Sequence, residues 1–315
     1  MARTGTTPRW PTLVAMTAEA VPAAQPPLPR ATRPRLATPP GQPTLSPSRA
    51  ADFKTCPLLY RFRVIDRLPE TPRVEQARGT LVHAVLDRLF DLPPAQRTPA
   101  AAAQLVAEEW AQLLTTHPEW ASVIPETATA DVLTSARTLL DSYFAVEDPR
   151  RLAPAEREYL VSAVIGDGLV LRGYIDRLDI STDGHLRVVD YKTGAAPQEP
   201  FAADALFQLK CYAVMLWRSR GTVPRVLRLV YLKDAQVRDY TPDAAELARF
   251  ERTLLALWRA IEEAMRRREF RPSPGRLCRW CDHQERCPAF GGTPPPYPEA
   301  ATPQQPAADS PPELS

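Results

Sequence analysis

The chain has 315 residues, of which 44% are hydrophobic, and its formal net charge is only +2. It is long enough to bury the core of one large domain or two small ones. The balanced charge excludes a global basic field, so any contact with nucleic acid has to be local.

Proline is the compositional outlier, with 36 residues concentrated towards both ends. We predict disordered tails at residues 1–45, which are rich in Pro and Arg, and at residues 291–315, which are rich in Pro. Glu19 and Pro22 interrupt the apolar residues near the N-terminus, so no signal peptide is expected. No apolar run approaches the length of a membrane span, and we expect a cytoplasmic protein.

Four helical patterns fill the first half of the predicted domain, residues 46–290. The first begins at Ser46-Pro47-Ser48 and covers residues 50–63 with a break at Pro57. The second covers residues 78–90. Two Ala- and Leu-rich patterns, at residues 100–114 and 130–144, predict a helical insertion at about residues 95–150.

The period changes to that of strands at Glu156. We predict strands at residues 159–165, 169–180 and 186–191, joined by hairpin turns at Gly166-Asp167-Gly168 and Thr182-Asp183-Gly184. A helix at residues 203–218, a strand at 226–232 and a helix at 243–268 follow. This order predicts an α/β fold with a mixed central sheet flanked by helices.

Asp190 and Lys192 end the third predicted strand and share one of its faces. Asp176 lies as far before Asp183 as Asp190 lies after it, so pairing about that turn makes the two acids neighbours. Two facing carboxylates repel unless a cation lies between them, and oxygen ligands suit Mg²⁺ or Mn²⁺. The alternatives are a structural salt bridge between Asp190 and Lys192, or a cross-strand salt bridge between Lys192 and Asp176.

Three further signals have an ordinary structural explanation when each is taken alone. His83 lies among apolar helix neighbours, as a core histidine would. Gln208 and Tyr212 are one helical turn apart and fit an amphipathic helix. Glu158 begins a strand, where solvated charges are common.

The cysteines carry the strongest local signal. Cys278, Cys281 and Cys287 form a C-x2-C-x5-C pattern within a metal-cluster segment at residues 276–290, and three thiols this close can hold three corners of a metal centre. The fourth ligand is either His283, which favours zinc, or the distant Cys56. We assign Cys211 to the core because it lies on an apolar helix face.

Together, the stretches LSPSRAADFKTCPLLYRF, GTLVHAVLDRLF, GYIDRLD, VVDYKTG, QLKCYAVML and C-x2-C-x5-C resemble the RecB-like branch of the PD-(D/E)XK nuclease superfamily. The four-cysteine pattern is similar to that of the AddB nuclease domain and of the CRISPR-associated iron–sulfur exonucleases. The resemblance covers roughly residues 45–290 and implies a restriction-endonuclease-like core. Asp190 stands where many members have Glu, which the superfamily pattern permits.

The resemblance implies a role for each matching residue. His83, Asp176, Asp190 and the Tyr191 carbonyl would bind Mg²⁺ or Mn²⁺, with Glu158 as a possible additional acid. Lys192 would be the catalytic lysine, and Gln208 and Tyr212 would contact DNA near it. A structural [4Fe–4S] cluster would be held by Cys56, Cys278, Cys281 and Cys287.

The implied activity is metal-assisted phosphodiester hydrolysis by a DNA exonuclease of repair or recombination, acting on single strands or DNA ends. Arg61, Arg63 and Trp280 are the predicted DNA contacts, together with the arginines at 266–268, 276 and 279. The alternative for residues 266–268 is a solvated helix end favoured by the macrodipole. The sequence has no Walker-type motif, so a helicase would be a separate partner. Two alternatives stay open: a non-catalytic DNA-binding module of the same fold, and a zinc-stabilised interaction protein.

Overall fold

The computed structural model describes residues 43–197 and 203–298. Six strands occur in these ranges: β1 (Thr44–Leu45), β2 (Glu156–Ile165), β3 (Leu169–Ile180), β4 (Leu186–Lys192), β5 (Val226–Tyr231) and β6 (Gln236–Tyr240). The same ranges contain eight α-helices: α1 (Pro47–Thr55), α2 (Pro57–Tyr60), α3 (Val74–Leu89), α4 (Pro99–Thr116), α5 (Trp120–Val123), α6 (Glu126–Val146), α7 (Ala203–Arg220) and α8 (Ala244–Arg267).

The strands form one mixed sheet with β3 as its longest member. One edge of β3 pairs with β2 in antiparallel fashion along most of its length. The other edge has two partners, because β1 pairs in parallel at Val170 and Leu171 whereas β4 pairs in antiparallel fashion at residues 177–180. β5 runs parallel to β4, and β6 runs antiparallel to β5. Between its two partners, this edge of β3 pairs with no strand of the described chain.

Helices cover both faces of the sheet, and each face has its own hydrophobic core. One core joins α1, α7 and α8 to the sheet, and the other joins it to α3, α4 and α6. Val188 enters the first core and its neighbour Val189 enters the second. This alternation follows from the pleat, which directs successive side chains to opposite faces. It explains why β4 is an almost continuous apolar run up to Asp190.

The predicted α/β class with a mixed central sheet is confirmed, and most elements agree within a few residues. The predicted break of the first helix at Pro57 is confirmed, because the extended backbone of Cys56 separates α1 from α2. The predicted helix start at Ser46 is confirmed, because the Ser46 hydroxyl accepts a hydrogen bond from the Arg49 N–H at 3.3 Å. Strand β6 was not predicted, because its mostly exposed sequence QVRDY lacks an apolar face.

Most of the two predicted tails lies outside the described residues. The part inside them belongs to the fold: Thr44 and Leu45 pair with β3, and the ring of Tyr297 stacks on Phe270 at 6.2 Å. The helical insertion predicted at about residues 95–150 corresponds to α4, α5 and α6. None of the helices in the described ranges combines the length and apolar character that a membrane span requires.

Candidate active site and cysteine segment

The candidate active site lies where β3 and β4 separate. The hairpin pairs Arg177 with Val189, and this is the last pair before the two strands part. Asp176 and Asp190 are next in line, as their equal distance from the turn predicts. Because β1 pairs with β3 only at Val170 and Leu171, Asp176 lies beside the gap in the sheet.

His83 and the backbone of Tyr191 surround the Asp176 carboxylate. Its Oδ2 accepts a hydrogen bond from the Tyr191 N–H at 2.8 Å and lies 3.5 Å from His83 Nδ1. The other imidazole nitrogen, Nε2, lies 3.0 Å from the Tyr191 carbonyl oxygen. Both side chains are buried, so these contacts are shielded from water. The structure thus brings together His83, Asp176 and the Tyr191 carbonyl.

Glu158 completes this group from the neighbouring strand. It stands opposite Asp176, between the paired residues Arg157 and Tyr159 of β2. Its backbone is left-handed, with φ at 44°, which is uncommon for a residue other than glycine and costs free energy. One ligand atom each from His83, Glu158 and Asp176 lie within 4.8 Å of one another. Among the described residues, no other set of three or more His, Cys, Asp or Glu side chains lies this close together.

Lys192 connects Asp190 to α7. Its Nζ lies 2.9 Å from Asp190 Oδ2 and donates to Gln208 Oε1 at 2.9 Å. The Gln208 amide in turn donates to the Tyr212 hydroxyl at 2.9 Å. The ion pair of Lys192 is therefore with Asp190 on its own strand, which was one of the alternatives, and not with Asp176 across the hairpin.

The two carboxylates have opposite electrostatic environments. Burial raises the pKa of Asp190 to about 6, and Lys192 only partly opposes this effect. Burial also disfavours the ionised form of Asp176, but His83 and the Tyr191 N–H outweigh it and lower the pKa of Asp176. Burial lowers and Asp176 raises the pKa of His83, with a net increase. A cation beside Asp190 would favour its ionised form.

The donor set fits a divalent cation. Asp190 Oδ1 is buried and accepts no hydrogen bond from the described residues, although a buried carboxylate oxygen normally has a partner. Carboxylate and carbonyl oxygens with one imidazole suit Mn²⁺ or Mg²⁺ better than a soft metal. His83, Glu158, Asp176, Asp190 and the Tyr191 carbonyl are the groups that could hold it.

Comparison with known proteins identifies a superfamily for this chain. The sequence model of the PD-(D/E)XK nuclease superfamily matches residues 44–288. The chain belongs to this superfamily. It is 24% identical over 276 residues to the gene 69 protein of Mycobacterium phage D29, which covers 79% of this chain and 97% of that protein. The fold is also similar to that of a solved structure from Eubacterium rectale, whose name describes it as an exonuclease by inference. The TM-score between the two is 0.47, with 11% sequence identity over 76% of this chain and 87% of that one.

The cysteines of this PD-(D/E)XK protein lie apart from the acidic site. Cys56, Cys278, Cys281 and Cys287 all line one largely apolar cavity of about 220 Å³, which lies between the first helices and the cysteine segment, residues 276–290. Among the described residues, no three cysteines have their sulfurs within 4.8 Å of one another. Two of them accept backbone N–H groups, Cys56 from Ser273 at 3.4 Å and Cys278 from Gly275 at 3.2 Å.

His283 and Cys211 do not line the cysteine cavity. The His283 ring is fully buried, donates from Nε2 to Glu70 Oε1 at 3.0 Å and lies against Phe62. It is not among the residues that line the cysteine cavity. Cys211 lies on α7 and is buried in the core, as predicted, and burial raises the pKa of its thiol well above the ordinary range.

Two of the predicted DNA contacts have other partners. Arg61 is buried, lies 3.0 Å from Asp66 and donates to the Pro295 carbonyl oxygen at 2.5 Å. Arg63 pairs with Asp52 and Glu70. Arg61 therefore stabilises the fold around the cysteine segment, and its burial corrects the prediction that it faces DNA. The Arg63 side chain is 40% exposed, so its contact with DNA stays a prediction. Trp280 is 48% exposed beside the Arg279 guanidinium and can still contact a substrate.

The sequence did not single out Arg177 and Glu147, although both lie beneath the site. Arg177 follows Asp176 and is 1% exposed, and its guanidinium binds Glu147 at 2.7 and 2.9 Å. A charged residue within the apolar β3 pattern was the available signal, since buried charge requires a partner. The identity of that partner, 30 residues earlier in the chain, could not be inferred.

Proposed function

We propose that this chain is a divalent-metal-dependent DNA exonuclease of the RecB-like type, acting on single strands or DNA ends in repair or recombination. The observation that carries the proposal is the convergence of His83, Glu158 and Asp176 beside the Asp190–Lys192 pair at the end of one hairpin. Superfamily membership supports a nuclease reaction. The motif order from Cys56 to Cys287 supports the RecB-like type with its iron–sulfur cluster.

Some side chains of the site would bind a cation, and others would contact the phosphate. When bound, a divalent cation would supply positive charge against the phosphoryl oxygens and make a water molecule more acidic. His83, Asp176 and Asp190 would hold it, with Glu158 and the Tyr191 carbonyl completing the set. Lys192, fixed between Asp190 and Gln208, would donate its remaining N–H to a phosphate oxygen as negative charge develops there.

The depth of the site supports a narrow substrate. The Asp190 side chain is 1% exposed and that of Lys192 is 14% exposed. A phosphate inside a stiff duplex would have difficulty in reaching groups this far below the surface, whereas a single strand is thinner and more flexible. Trp280 could stack on an unpaired base, an interaction worth roughly 1–3 kcal/mol per base. A duplex substrate would then need strand separation, for which a separate helicase is the natural partner.

Substitution of Asp190 tests the nuclease proposal. We expect Asp190→Asn to reduce Mn²⁺-dependent release of nucleotides from end-labelled single-stranded DNA by at least about 10³-fold, because a cation ligand and the partner of Lys192 are lost together. Asp183→Asn, in the exposed turn of the same hairpin, is the matched control and should retain full activity. An inactive wild-type protein that still binds DNA would instead favour the non-catalytic module. Equal activity of the wild type and Asp190→Asn would refute the proposed site.

We further propose that Cys56, Cys278, Cys281 and Cys287 hold a structural [4Fe–4S] cluster. A single tetrahedral zinc ion needs sulfurs roughly 3.8 Å apart, since each Zn–S bond is about 2.3 Å. In a [4Fe–4S] cluster each thiolate binds a different iron, so wider spacing around a cavity is suitable. The backbone N–H groups that face Cys56 and Cys278 would favour thiolates. The pairing of His283 with Glu70 also speaks against a zinc site that uses this histidine.

The cluster proposal predicts a brown protein. Protein purified without oxygen should contain about four iron and four sulfide ions and lose its visible absorbance with dithionite. Cys56→Ser should lower both contents and destabilise the fold, because the cluster closes a loop of roughly 220 residues, worth on the order of 5 kcal/mol in the chain-entropy description. Cys211→Ser, which changes a core cysteine, should leave the iron content unchanged. A colourless protein with one zinc ion would overturn the proposal and favour the interaction protein.

A further inference from the structure

A buried ionic network lies directly beneath the candidate metal site. Its centre is Arg177, which is 1% exposed and makes a bidentate pair with Glu147 at 2.7 and 2.9 Å. The Arg177 Nε also lies 3.1 Å from Asp179 Oδ1. Because Arg177 follows Asp176 on β3, its side chain leaves the strand on the opposite face from the carboxylate.

Glu147 connects this network to the helical insertion. It is the residue after the last turn of α6, where the helix dipole disfavours negative charge. Burial also disfavours its ionised form, yet Arg177, and then Arg228, lower the pKa of Glu147 below its ordinary value. The Arg228 guanidinium lies 3.4 Å from Glu147 and also pairs with Asp239. The ionised Glu147 is therefore specifically stabilised at the junction between insertion and sheet.

Tyr191 carries the connection to the metal site. Its hydroxyl accepts a hydrogen bond from Arg177 Nη1 at 2.5 Å, and its ring lies edge-on to His83 with centroids 5.9 Å apart. The backbone of the same residue donates to Asp176 and faces His83 through its carbonyl oxygen. It also lies between Asp190 and Lys192 in sequence. One residue therefore contacts or adjoins every group of the candidate site except Glu158 and the α7 side chains.

We infer that Glu147, Arg177 and the Tyr191 hydroxyl are positioning residues for the metal site, through which the helical insertion fixes the Tyr191 backbone. The inference rests on the metal site of the proposed function. Glu147 holds the Arg177 guanidinium, which holds the Tyr191 phenol and so sets the position of the Tyr191 N–H and carbonyl groups. Residues that orient ligands in this way typically change metal affinity or activity by roughly 10–100-fold when they are altered.

Tyr191→Phe isolates the hydroxyl, because the ring and the backbone carbonyl remain. We expect the dissociation constant for Mn²⁺, measured by calorimetry, to rise about tenfold and kcat to fall while KM for DNA stays within about twofold. Tyr240→Phe is the matched control: its hydroxyl bonds Glu246 and it pairs with the far end of β5, so Mn²⁺ affinity should not change. If Tyr191→Phe lowers only the unfolding temperature and leaves Mn²⁺ affinity unchanged, the positioning role is wrong.

A double-mutant cycle tests the connection to the insertion. Glu147→Gln keeps the shape of Glu147 but removes its charge, and it should weaken Mn²⁺ binding by a similar factor. The double variant with Tyr191→Phe should bind no more weakly than about the worse single variant, because both changes act on one path. Fully additive losses would refute that path. If Glu147→Gln does not fold, Tyr191→Phe alone decides between a positioning and a structural role.

These measurements separate the inference from the proposed function. Weakened Mn²⁺ binding by Tyr191→Phe, in a protein that cleaves no nucleic acid, would support the inference and refute the nuclease proposal. Unchanged Mn²⁺ binding by the variant, in an active nuclease, would do the opposite.

Discussion

Glu70 joins two segments that are 213 residues apart in the chain. Its carboxylate accepts hydrogen bonds from His283 at 3.0 Å and from Arg63 at 2.8 and 3.1 Å. Burial disfavours the ionised form, but these two partners outweigh it and lower the pKa of Glu70 from 4.5 to about 2. The folded protein therefore stabilises the Glu70 carboxylate in comparison with the unfolded chain.

This shift fixes the sign of a pH effect. The Glu70 contribution is fully present above pH 4.5 and is lost as the pH falls towards 2. We expect Glu70→Gln to reduce the free energy of unfolding at pH 7 by on the order of 2 kcal/mol, less than the full shift implies because the site is partly exposed. Denaturant unfolding of both proteins at several pH values should show this difference shrink below pH 4.5. A difference independent of pH would contradict the assigned role.

Single residues were predictable where local geometry decides their position. Asp176 and Asp190 could be paired because a tight turn fixes the register of a hairpin. Glu158 could be recognised only as a possible acid, since its left-handed backbone leaves no sequence signal. The prediction for Arg61 was wrong because an arginine beside apolar residues reads as exposed charge, whereas the fold buries it against Asp66.

At the level of elements, the approach of α7 to β3 depends on Gly173. A Cβ atom at this position would lie 2.9 Å from Cε1 of Tyr212 and 3.2 Å from Cδ of Pro47. The start of α1 and the face of α7 that carries Tyr212 therefore both pack closely against Gly173 of β3. Glycine lets the helix come close enough for Gln208 to reach Lys192.

We expect Gly173→Ala to destabilise the protein by about 1–3 kcal/mol, as overpacking in a dense core usually does. Displacement of Tyr212 should also disturb the Gln208–Lys192 contact, so nuclease activity should fall further than stability alone explains. Thermal unfolding and a cleavage assay at low temperature would separate the two effects. Gly194→Ala, with no atom within 4 Å of the added Cβ, is the control and should unfold normally. A fully active Gly173→Ala protein would show that the contact is not needed.

Helices and strands with a strong apolar period were predictable, and those without one were not. Strand β3 was predicted at its observed bounds because hydrophobic residues and two turns delimit it. Strand β6 lies at the sheet edge with little burial, so no hydrophobic pattern marks it. Pairing with β5 stabilises it, and such pairing is a property of the tertiary fold.

On the scale of the molecule, ion pairs and hydrogen bonds connect segments that lie far apart in the sequence. Asp282 of the cysteine segment accepts hydrogen bonds from Thr71 and Arg73, just before α3 begins. Glu147 makes the corresponding connection between the insertion and the sheet. The α/β class followed from the order of elements, but neither contact did, because many charges could form equivalent pairs.

The contact between Glu70 and His283 can form only late in the synthesis of the chain. A ribosome that adds 5–20 residues per second needs roughly 10–40 s to make the 213 residues between these partners. His83, Asp176, Asp190 and Gln208 all precede Cys278 in the chain, so the acidic site is synthesised first. The nascent protein therefore has the residues of the candidate active site for several seconds before the segment that contains His283 leaves the ribosome.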